Sequence, residues 1–344
     1  MNLAVVPEPV TAPVTRPQRV ARNDLPFTCL RGVRRIHIDA RYGERGTAID
    51  VRYLWAGAPG APTIIVQGGI SADRNACATL EHRKSGWWET LVGAGRAIDL
   101  TTTRILAIDW LDARDVAAPS VATADQADAL AALLDALGVA HVTAFVGASY
   151  GAMVGLAFAA RHGDRVGKLV VLAGAHRPHP LATAERAVQR GIIRLGVAHG
   201  CVADALSLAR QLALTTYRSG EDIGRRFAGG AEYRDGRFQL PVEAWLEYHG
   251  RHFVQRFDAE RYLALSESID LHDVDPAAVK VPATLIGFAS DRLVPLADLC
   301  ELQRRLGAPA SLEVIETPYG HDGFLKEHAC LAPLLREALT PCGD

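Results

Sequence analysis

A serine between two glycines is the residue of this sequence best suited to covalent chemistry. The segment Gly147-Ala148-Ser149-Tyr150-Gly151 follows a β-rich apolar run and precedes a helix-like run. In that context a Gly-x-Ser-x-Gly segment predicts a nucleophile elbow, a sharp turn that lifts the serine hydroxyl above a sheet. The glycines relieve crowding, and the N-terminus of the following helix favours developing negative charge. We therefore predict a nucleophilic serine rather than a plain Gly/Ser turn.

Asp291 and His321, which lie much later in the chain, are candidates for activating Ser149. A serine hydroxyl needs a general base, and the base needs an acid that orients it. Asp291 directly follows the apolar run 283–290, and His321 lies just past the run 311–317. Such sheets place their sites at the carboxyl ends of strands, and nucleophile elbows use partners in the order Ser, Asp, His. Each residue alone would more often be a solvated loop residue, but together they predict a catalytic triad.

The same chemistry requires an oxyanion hole made of two backbone N–H groups. The first is expected from Tyr150, directly after the nucleophile. The second is expected from the loop after the apolar run 63–69, where Gly68-Gly69-Ile70 lets backbone amides approach a substrate. Ile70 is the preferred donor and Gly69 is the alternative.

A mostly parallel sheet is predicted to position these residues. Continuous apolar runs, typical of strands buried on both faces, lie at 63–69, 104–111, 141–148, 168–175, 283–290 and 311–317. Alternating residues over 35–43 and 48–57 predict an antiparallel hairpin at a sheet edge. Between two runs, 123–138 has helical apolar spacing, with Thr123 and Gln126 as a capping box and Gly138 as its end. Strands alternating with such helices predict an α/β fold with helices on both faces of the sheet.

The chain divides into a leader, a core and an insertion. Residues 1–26 contain prolines where a secretory signal would need an uninterrupted apolar stretch, and they are interpreted as a flexible leader. The strand and helix pattern occupies 27–176 and 281–344, which we assign to the core. Over 177–280 the pattern changes to helical stretches rich in Arg, Ala and Leu, which predicts a helical lid inserted into the core.

Composition excludes some classes of partner. The 344 residues are 49% hydrophobic, enough for one large domain with an insertion. Because 37 Lys+Arg balance 39 Asp+Glu, we expect no nucleic acid and no membrane as a partner. The uncharged run 142–160 is interpreted as a strand, turn and helix rather than a membrane span. Six scattered cysteines without metal-ligand spacing predict reduced thiols, no metal site and a cytoplasmic location.

Further motifs lie outside the elbow. They are Gly86-Trp87-Trp88-Glu89 with the block 92–99, Thr216-Tyr217-Arg218-Ser219, the segment 262–270 and the segment 318–325. From about 62 to 339 these motifs resemble the homoserine O-acyltransferases, a branch of the α/β-hydrolase superfamily. The resemblance implies an α/β-hydrolase fold, with a mostly parallel sheet, helices on both faces and an inserted helical lid. The tripeptide after Ser149 and the oxyanion loop depart from the pattern that is usual in that family.

The resemblance also implies roles for individual residues. Ser149 would attack an acyl-CoA, His321 would act as base and then acid, and Asp291 would orient His321. Arg218 would hold the carboxylate of the acceptor amino acid and Asp322 its ammonium group. No cofactor is implied, since acyl-CoA is a co-substrate. A homodimer assembled through the lid helices is expected.

Several substrates remain open. L-homoserine, in methionine biosynthesis, is the preferred acceptor, and L-serine, in cysteine biosynthesis, is the alternative. Succinyl-CoA is preferred to acetyl-CoA because Arg74 in the oxyanion loop is a candidate partner for the extra carboxylate. A plain esterase or thioesterase would let water resolve the acyl-enzyme and would not need the Arg218 and Asp322 pair. A non-catalytic binding protein of this fold would have no reason to keep all three triad groups.

Overall fold

A central sheet runs through the part of the chain that the computed structural model describes, residues 27–79 and 81–340. The predicted leader 1–26 lies outside the described residues. In chain order the strands are β1 Thr28–Ile38, β2 Thr47–Gly57, β3 Thr63–Gln67, β4 Val92–Gly93, β5 Ile98–Asp99, β6 Arg104–Ile108, β7 Ala144–Ala148, β8 Leu169–Leu172, β9 Glu232–Arg234, β10 Arg237–Gln239, β11 Ala283–Phe288 and β12 Ala310–Ile315. The central sheet has the order β1-β2-β6-β3-β7-β8-β11-β12.

The sheet is mostly parallel, as predicted. Strands β6, β3, β7, β8, β11 and β12 run parallel to one another, whereas β1 and β2 form the antiparallel hairpin at one edge and β2 pairs with β6 in antiparallel orientation. The prediction for the hairpin is wrong at its start, because β1 already begins at Thr28. The prediction that the last strand is buried on both faces is also wrong. Strand β12 is the opposite edge of the sheet, so several of its side chains are exposed.

Helices cover both faces of this sheet. They are α1 Thr123–Ala136, α2 Tyr150–Arg161, α3 Pro180–Ala198, α4 Val202–Tyr217, α5 Gly220–Arg226, α6 Pro241–Val254, α7 Ala259–Asp270, α8 Leu296–Arg305, α9 Gly323–Lys326 and α10 His328–Leu339. In the described residues none of these helices is both long and apolar enough to cross a bilayer. The uncharged run 142–160 forms β7, a turn and α2, as predicted.

The start of α1 differs from the predicted capping box. The cap residue is Ala122, whose N–H donates to the Asp125 carboxylate at 2.7 Å. The Thr123 hydroxyl instead meets His272 Nδ1 at 2.8 Å, and the Gln126 amide donates to the Leu111 carbonyl at 2.8 Å. The predicted box is therefore displaced by one residue, because tertiary contacts take both of its polar side chains into the core.

Helices α3 to α7 and the β9/β10 hairpin lie between β8 and β11 in the chain. These helices pack around a small apolar cluster of their own, centred on Ile193, Leu206, Phe253 and Tyr262. Helix α7 also reaches the core, where the Ser268 hydroxyl meets the Tyr150 hydroxyl at 2.7 Å. The insertion therefore covers the carboxyl end of the sheet, beside the elbow.

Candidate active site

Ser149 stands at a strained turn between β7 and α2. Its backbone has φ 55° and ψ −116°, a conformation that non-glycine residues rarely adopt. The chain is tightly packed around it. A Cβ added at Gly147 would lie 2.3 Å from the Gly151 carbonyl oxygen, and one added at Gly151 would lie 2.3 Å from the Gln67 carbonyl oxygen. Any side chain at Gly147 or Gly151 would therefore clash with the backbone, so both positions require glycine.

The structure brings Ser149, His321 and Asp291 together in one hydrogen-bonded line. His321 Nε2 lies 2.8 Å from Ser149 Oγ, and His321 Nδ1 lies 2.7 Å from Asp291 Oδ2. The other carboxylate oxygen of Asp291 accepts the N–H groups of Leu293 and Val294, at 2.8 and 3.1 Å. These bonds fix the carboxylate, which in turn fixes the imidazole. The arrangement can deprotonate the serine hydroxyl during attack.

The surroundings of His321 favour its protonated form. Burial opposes the charge on the imidazolium, but the Asp291 carboxylate outweighs it through its charge and hydrogen bond, with a further contribution from Asp322. The pKa of His321 is therefore raised above its ordinary value. As a base His321 must be neutral, so acylation of the free enzyme should increase as pH rises through this pKa.

We predict that Asp322→Asn shifts the acidic limb of the acylation pH profile to lower pH. Removing a nearby negative charge destabilises the imidazolium, lowers the pKa of His321 and leaves it neutral at lower pH. The measurement is kcat/KM for acylation against pH. Asp298→Asn is the control, since Asp298 also lines the cavity but is not among the main charges that shift the pKa of His321. An unmoved limb in Asp322→Asn would contradict the electrostatic account.

Both predicted oxyanion segments border the nucleophile. Tyr150 is the first residue of α2, so its N–H has no partner within the helix. A Cβ built on Gly69 would lie 3.9 Å from Ser149 Oγ, so this loop passes directly beside the hydroxyl. Gly69 and Ile70 both line the cavity above Ser149. The Gly69 carbonyl accepts the Trp110 indole N–H and the Ala72 N–H, whereas the Ile70 N–H of the same peptide has no hydrogen-bond partner among the described residues.

The two predicted acceptor-binding residues lie in contact with each other. Arg218 Nε is 2.8 Å from Asp322 Oδ2, although its N–H is not aimed at that oxygen, and Arg218 Nη1 donates to Asp222 at 3.3 Å. Asp322 lines the cavity over Ser149, whereas Arg218 lies behind it and does not. Arg218 thus contacts two carboxylates, Asp222 and Asp322, and of these only Asp322 lines the cavity.

A different arginine of the same helix faces the cavity. Arg210 lines it, is half-buried, and forms no ion pair within the described part of the chain. Its guanidinium lies 5.3 Å from the ring centre of Tyr217 and 4.9 Å from that of Phe253. The aromatic faces hold the planar group and leave its N–H edge free. Arg210 is therefore suited to bind a carboxylate inside the cavity.

A second cationic group lies at the wall formed by α3. Arg186 lines the cavity and shares the Asp270 carboxylate with Arg190, at 2.6 and 2.5 Å. All three side chains are about nine-tenths buried. Two guanidinium groups against one carboxylate leave a net positive charge, which favours an anion beside Arg186.

Arg74, the predicted partner of a succinyl carboxylate, does not face the cavity. It binds Asp109 through its backbone N–H at 3.0 Å and through Nη1 at 2.9 Å. The structure does not support that prediction, because Arg74 is paired with Asp109, which follows strand β6, and is not among the residues that line the cavity.

Sequence reasoning missed Arg186 and Arg210. A signal for each was present: Arg186 and Arg190 are four residues apart on one helix, and Arg210 precedes Tyr217 by two helical turns. Neither spacing shows which face meets a cavity, so only the packing of helices α3 to α7 distinguishes them from the other arginines of 177–280.

Comparison with known proteins gives a consistent result. Residues 62–328 match the family model for the α/β hydrolase fold. Homoserine O-succinyltransferase of Xanthomonas campestris is 45% identical over all of this chain and 92% of its own length. Homoserine O-acetyltransferase of Geobacter metallireducens is 31% identical over 87% of this chain and 89% of its own.

Two solved structures are similar in fold. An esterase E22 mutant has a TM-score of 0.80 at 17% identity, covering 91% of this chain and all of its own. Homoserine O-acetyltransferase from Bacillus anthracis has a TM-score of 0.78 at 16% identity, covering 91% and 98%. At such identities these likenesses support the fold alone.

Proposed function

Because the chain belongs to the homoserine O-acyltransferases of the α/β-hydrolase fold, we propose that it transfers a succinyl group from succinyl-CoA to the hydroxyl of L-homoserine, in methionine biosynthesis. The observation that carries this proposal is a Ser149–His321–Asp291 line opening into a cavity that also holds Arg186, Arg210 and Asp322. Such a cavity offers separate cations for an acidic acyl group and for an amino acid.

The first half-reaction forms an acyl-enzyme. Ser149 Oγ attacks the thioester carbonyl while His321 Nε2 takes the hydroxyl proton. The N–H groups of Tyr150 and Ile70 stabilise the oxyanion that results. When the tetrahedral intermediate collapses, the C–S bond breaks and His321 returns the proton to the CoA thiolate. The products are free CoA and succinyl-Ser149.

The second half-reaction repeats these steps with a different nucleophile. The homoserine hydroxyl gives its proton to His321 and attacks the acyl carbonyl, with the same oxyanion donors in use. The ester bond to Ser149 Oγ then breaks, and His321 protonates the serine. The products are O-succinylhomoserine and free enzyme. Acyl-CoA serves only as co-substrate, and we propose no further cofactor.

We propose that Arg186 binds the distal carboxylate of the succinyl group. Its guanidinium is held by Asp270, and the nearby Arg190 makes the local charge positive. A guanidinium can bind carboxylate by two parallel hydrogen bonds. An acetyl group offers no such partner, so the contact would select succinyl-CoA.

We predict that Arg186→Gln weakens acylation by succinyl-CoA by roughly ten- to a hundredfold, the cost of one hydrogen-bonded charge contact. Acylation by acetyl-CoA should change far less, because the acetyl group does not reach this residue. Single-turnover release of CoA from each donor measures both rates. The matched control is Arg194→Gln, which removes an exposed cation of the same helix. Equal losses with both donors would show that Arg186 supports the fold rather than donor choice.

We propose that Arg210 and Asp322 bind the two charged groups of the acceptor. The carboxylate and ammonium of an amino acid share one carbon, so they require a cation and an anion close together. Arg210 supplies a guanidinium that has no ion pair with any residue the structure describes, and Asp322 supplies a carboxylate beside His321. Arg218 then takes a positioning role, holding Asp322 through the contact of 2.8 Å.

We predict that Arg210→Gln slows transfer to homoserine by about a hundredfold, since it leaves a substrate charge unpaired in a partly dry cavity. Formation of the acyl-enzyme should be spared, because the amino acid takes no part in it. Rapid mixing of preformed acyl-enzyme with homoserine isolates the step. Comparison with 3-aminopropanol, which lacks the α-carboxylate, provides the control, since the variant should not affect it.

If Arg218→Gln instead gives that carboxylate-dependent loss and Arg210→Gln does not, the original assignment to Arg218 is correct. L-serine as acceptor in the same experiment tests the alternative product. Faster transfer to serine than to homoserine would move the proposal to serine acylation.

We further propose that 27–176 and 281–344 act as the catalytic core and 177–280 as a lid, in a cytoplasmic homodimer. The support for the dimer is an apolar stripe on α3, where Leu181, Val188 and Leu195 recur every seven residues and are 49, 57 and 62% exposed. Pairing this stripe with the same stripe of a second copy would remove exposed apolar surface from water, which favours a dimer formed through the lid.

A further inference from the structure

One tryptophan contacts both segments that supply the proposed oxyanion donors. Trp110 follows strand β6 and is 2% exposed. Its indole Nε1–H donates to the Gly69 carbonyl at 3.0 Å. Its ring packs edge-on against the Tyr150 ring, with 4.8 Å between centroids and 76° between planes. No step of the proposed reaction uses this residue directly.

The bond to Gly69 constrains the direction of the neighbouring N–H. In a trans peptide the carbonyl of one residue and the N–H of the next point to opposite sides, and the described residues contain no cis peptide. The Gly69 carbonyl accepts both Trp110 Nε1–H and the Ala72 N–H, at 2.9 Å for the latter. Neither donor residue lines the cavity, so both lone pairs of this oxygen are directed away from it. The Ile70 N–H of that peptide must then point to the opposite side, which is the side of Ser149.

Helix α7 holds the backbone of Trp110 and the tyrosine against which its ring packs. Arg261 of α7 donates to the Trp110 carbonyl at 2.8 Å, and Ser268 of the same helix meets the Tyr150 hydroxyl at 2.7 Å. The Tyr150 ring is fully buried against the Trp110 ring. The rotation of the Gly69–Ile70 peptide is thus limited from two sides, by the Ala72 N–H of its own loop and by the Trp110 indole.

We propose that Trp110 is a positioning residue that holds the Gly69–Ile70 peptide plane in the orientation needed to stabilise the oxyanion. It does not touch the substrate. This inference rests on the proposed Ser149 chemistry but not on the identity of the acceptor. An oxyanion donor acts fully only when it is oriented before the reaction, because reorientation during the reaction costs part of the stabilisation.

The test replaces Trp110 with phenylalanine and, separately, with 3-benzothienylalanine, which keeps the bicyclic shape but has sulfur in place of N–H. The substrate is p-nitrophenyl acetate, whose burst of p-nitrophenol reports acylation of Ser149 without CoA or homoserine. A boronic acid that forms a tetrahedral adduct on Ser149 reports the oxyanion hole at equilibrium. Trp55→Phe is the matched control, since Trp55 Nε1 has no hydrogen-bond partner among the described residues.

We expect both Trp110 variants to slow the acylation burst by about tenfold, less than the hundredfold or more that follows outright loss of a donor. Boronate affinity should fall by a similar factor, while the p-nitrophenyl acetate concentration that half-saturates the burst rate and the thermal midpoint of the benzothienyl variant stay as in the wild type. Trp55→Phe should behave like the wild type in each measurement.

An unchanged burst rate in the benzothienyl variant would overturn the proposal, as would a loss of acylation with full boronate affinity. Losses only in Trp110→Phe, with a lowered thermal midpoint, would assign the indole to packing alone. Failure of the wild type to acylate homoserine in a parallel assay would count against the proposed function and leave this inference intact.

Discussion

Ser149→Ala is expected to abolish acyl transfer, with a loss of about a millionfold in kcat, the scale seen when a triad nucleophile is removed. In the proposed reaction the acyl chain becomes bonded to its hydroxyl, which lies 2.8 Å from His321 Nε2. The measurement is steady-state release of CoA in the presence of homoserine. The fold should be preserved, because alanine removes only the hydroxyl oxygen and adds no atoms.

Ser120→Ala is the control for this variant, since Ser120 is a buried serine whose hydroxyl has no partner among the described residues. It should retain wild-type turnover. Near-normal turnover in Ser149→Ala would remove Ser149 from the mechanism.

Asp291→Asn is expected to lower the acylation rate by about ten-thousandfold, as in other Ser-His-Asp triads. The carboxylate holds His321 Nδ1 at 2.7 Å and raises the pKa of His321 through its charge. The asparagine amide has the same shape as the carboxylate but no charge. It therefore stabilises the imidazolium less and no longer favours the tautomer of His321 that carries its proton on Nδ1. Single-turnover acylation with succinyl-CoA measures the effect.

The double variant Asp291→Asn with His321→Ala provides a further check. Because the base and its orienter act as one unit, their losses should not add. Additive losses, or a near-normal rate in Asp291→Asn, would show that another residue orients the base.

The three triad residues could be predicted from the sequence, because their positions follow from the strands and the helix next to them in the chain. A nucleophile elbow requires a strand before and a helix after the serine, and both were visible as apolar runs around Ser149. Parallel strands place their carboxyl ends at one edge of a sheet, so Asp291 and His321 had to lie near each other once their strands were recognised. The structure brings all three into hydrogen-bond contact.

The residues that we propose to select substrates were less predictable, because their positions depend on how helices α3 to α7 pack. Arg218 ends α4 with an extended backbone, so helical periodicity does not place its side chain. Arg210, eight residues earlier, faces the cavity only because Tyr217 and Phe253 hold it there. Arg74 was a reasonable choice by chain position, but Asp109, thirty-five residues away, binds it. Contacts between distant segments decided each case.

The measurement that tests the central claim most directly is intact-mass analysis of the protein in a two-step mixing experiment. Wild-type protein mixed with succinyl-CoA and no acceptor should gain one succinyl group, and peptide mapping should place it on Ser149. Adding L-homoserine should remove the group and yield O-succinylhomoserine in equal amount. A succinyl group on another residue, an adduct in Ser149→Ala, or release of succinate without the ester would contradict the account.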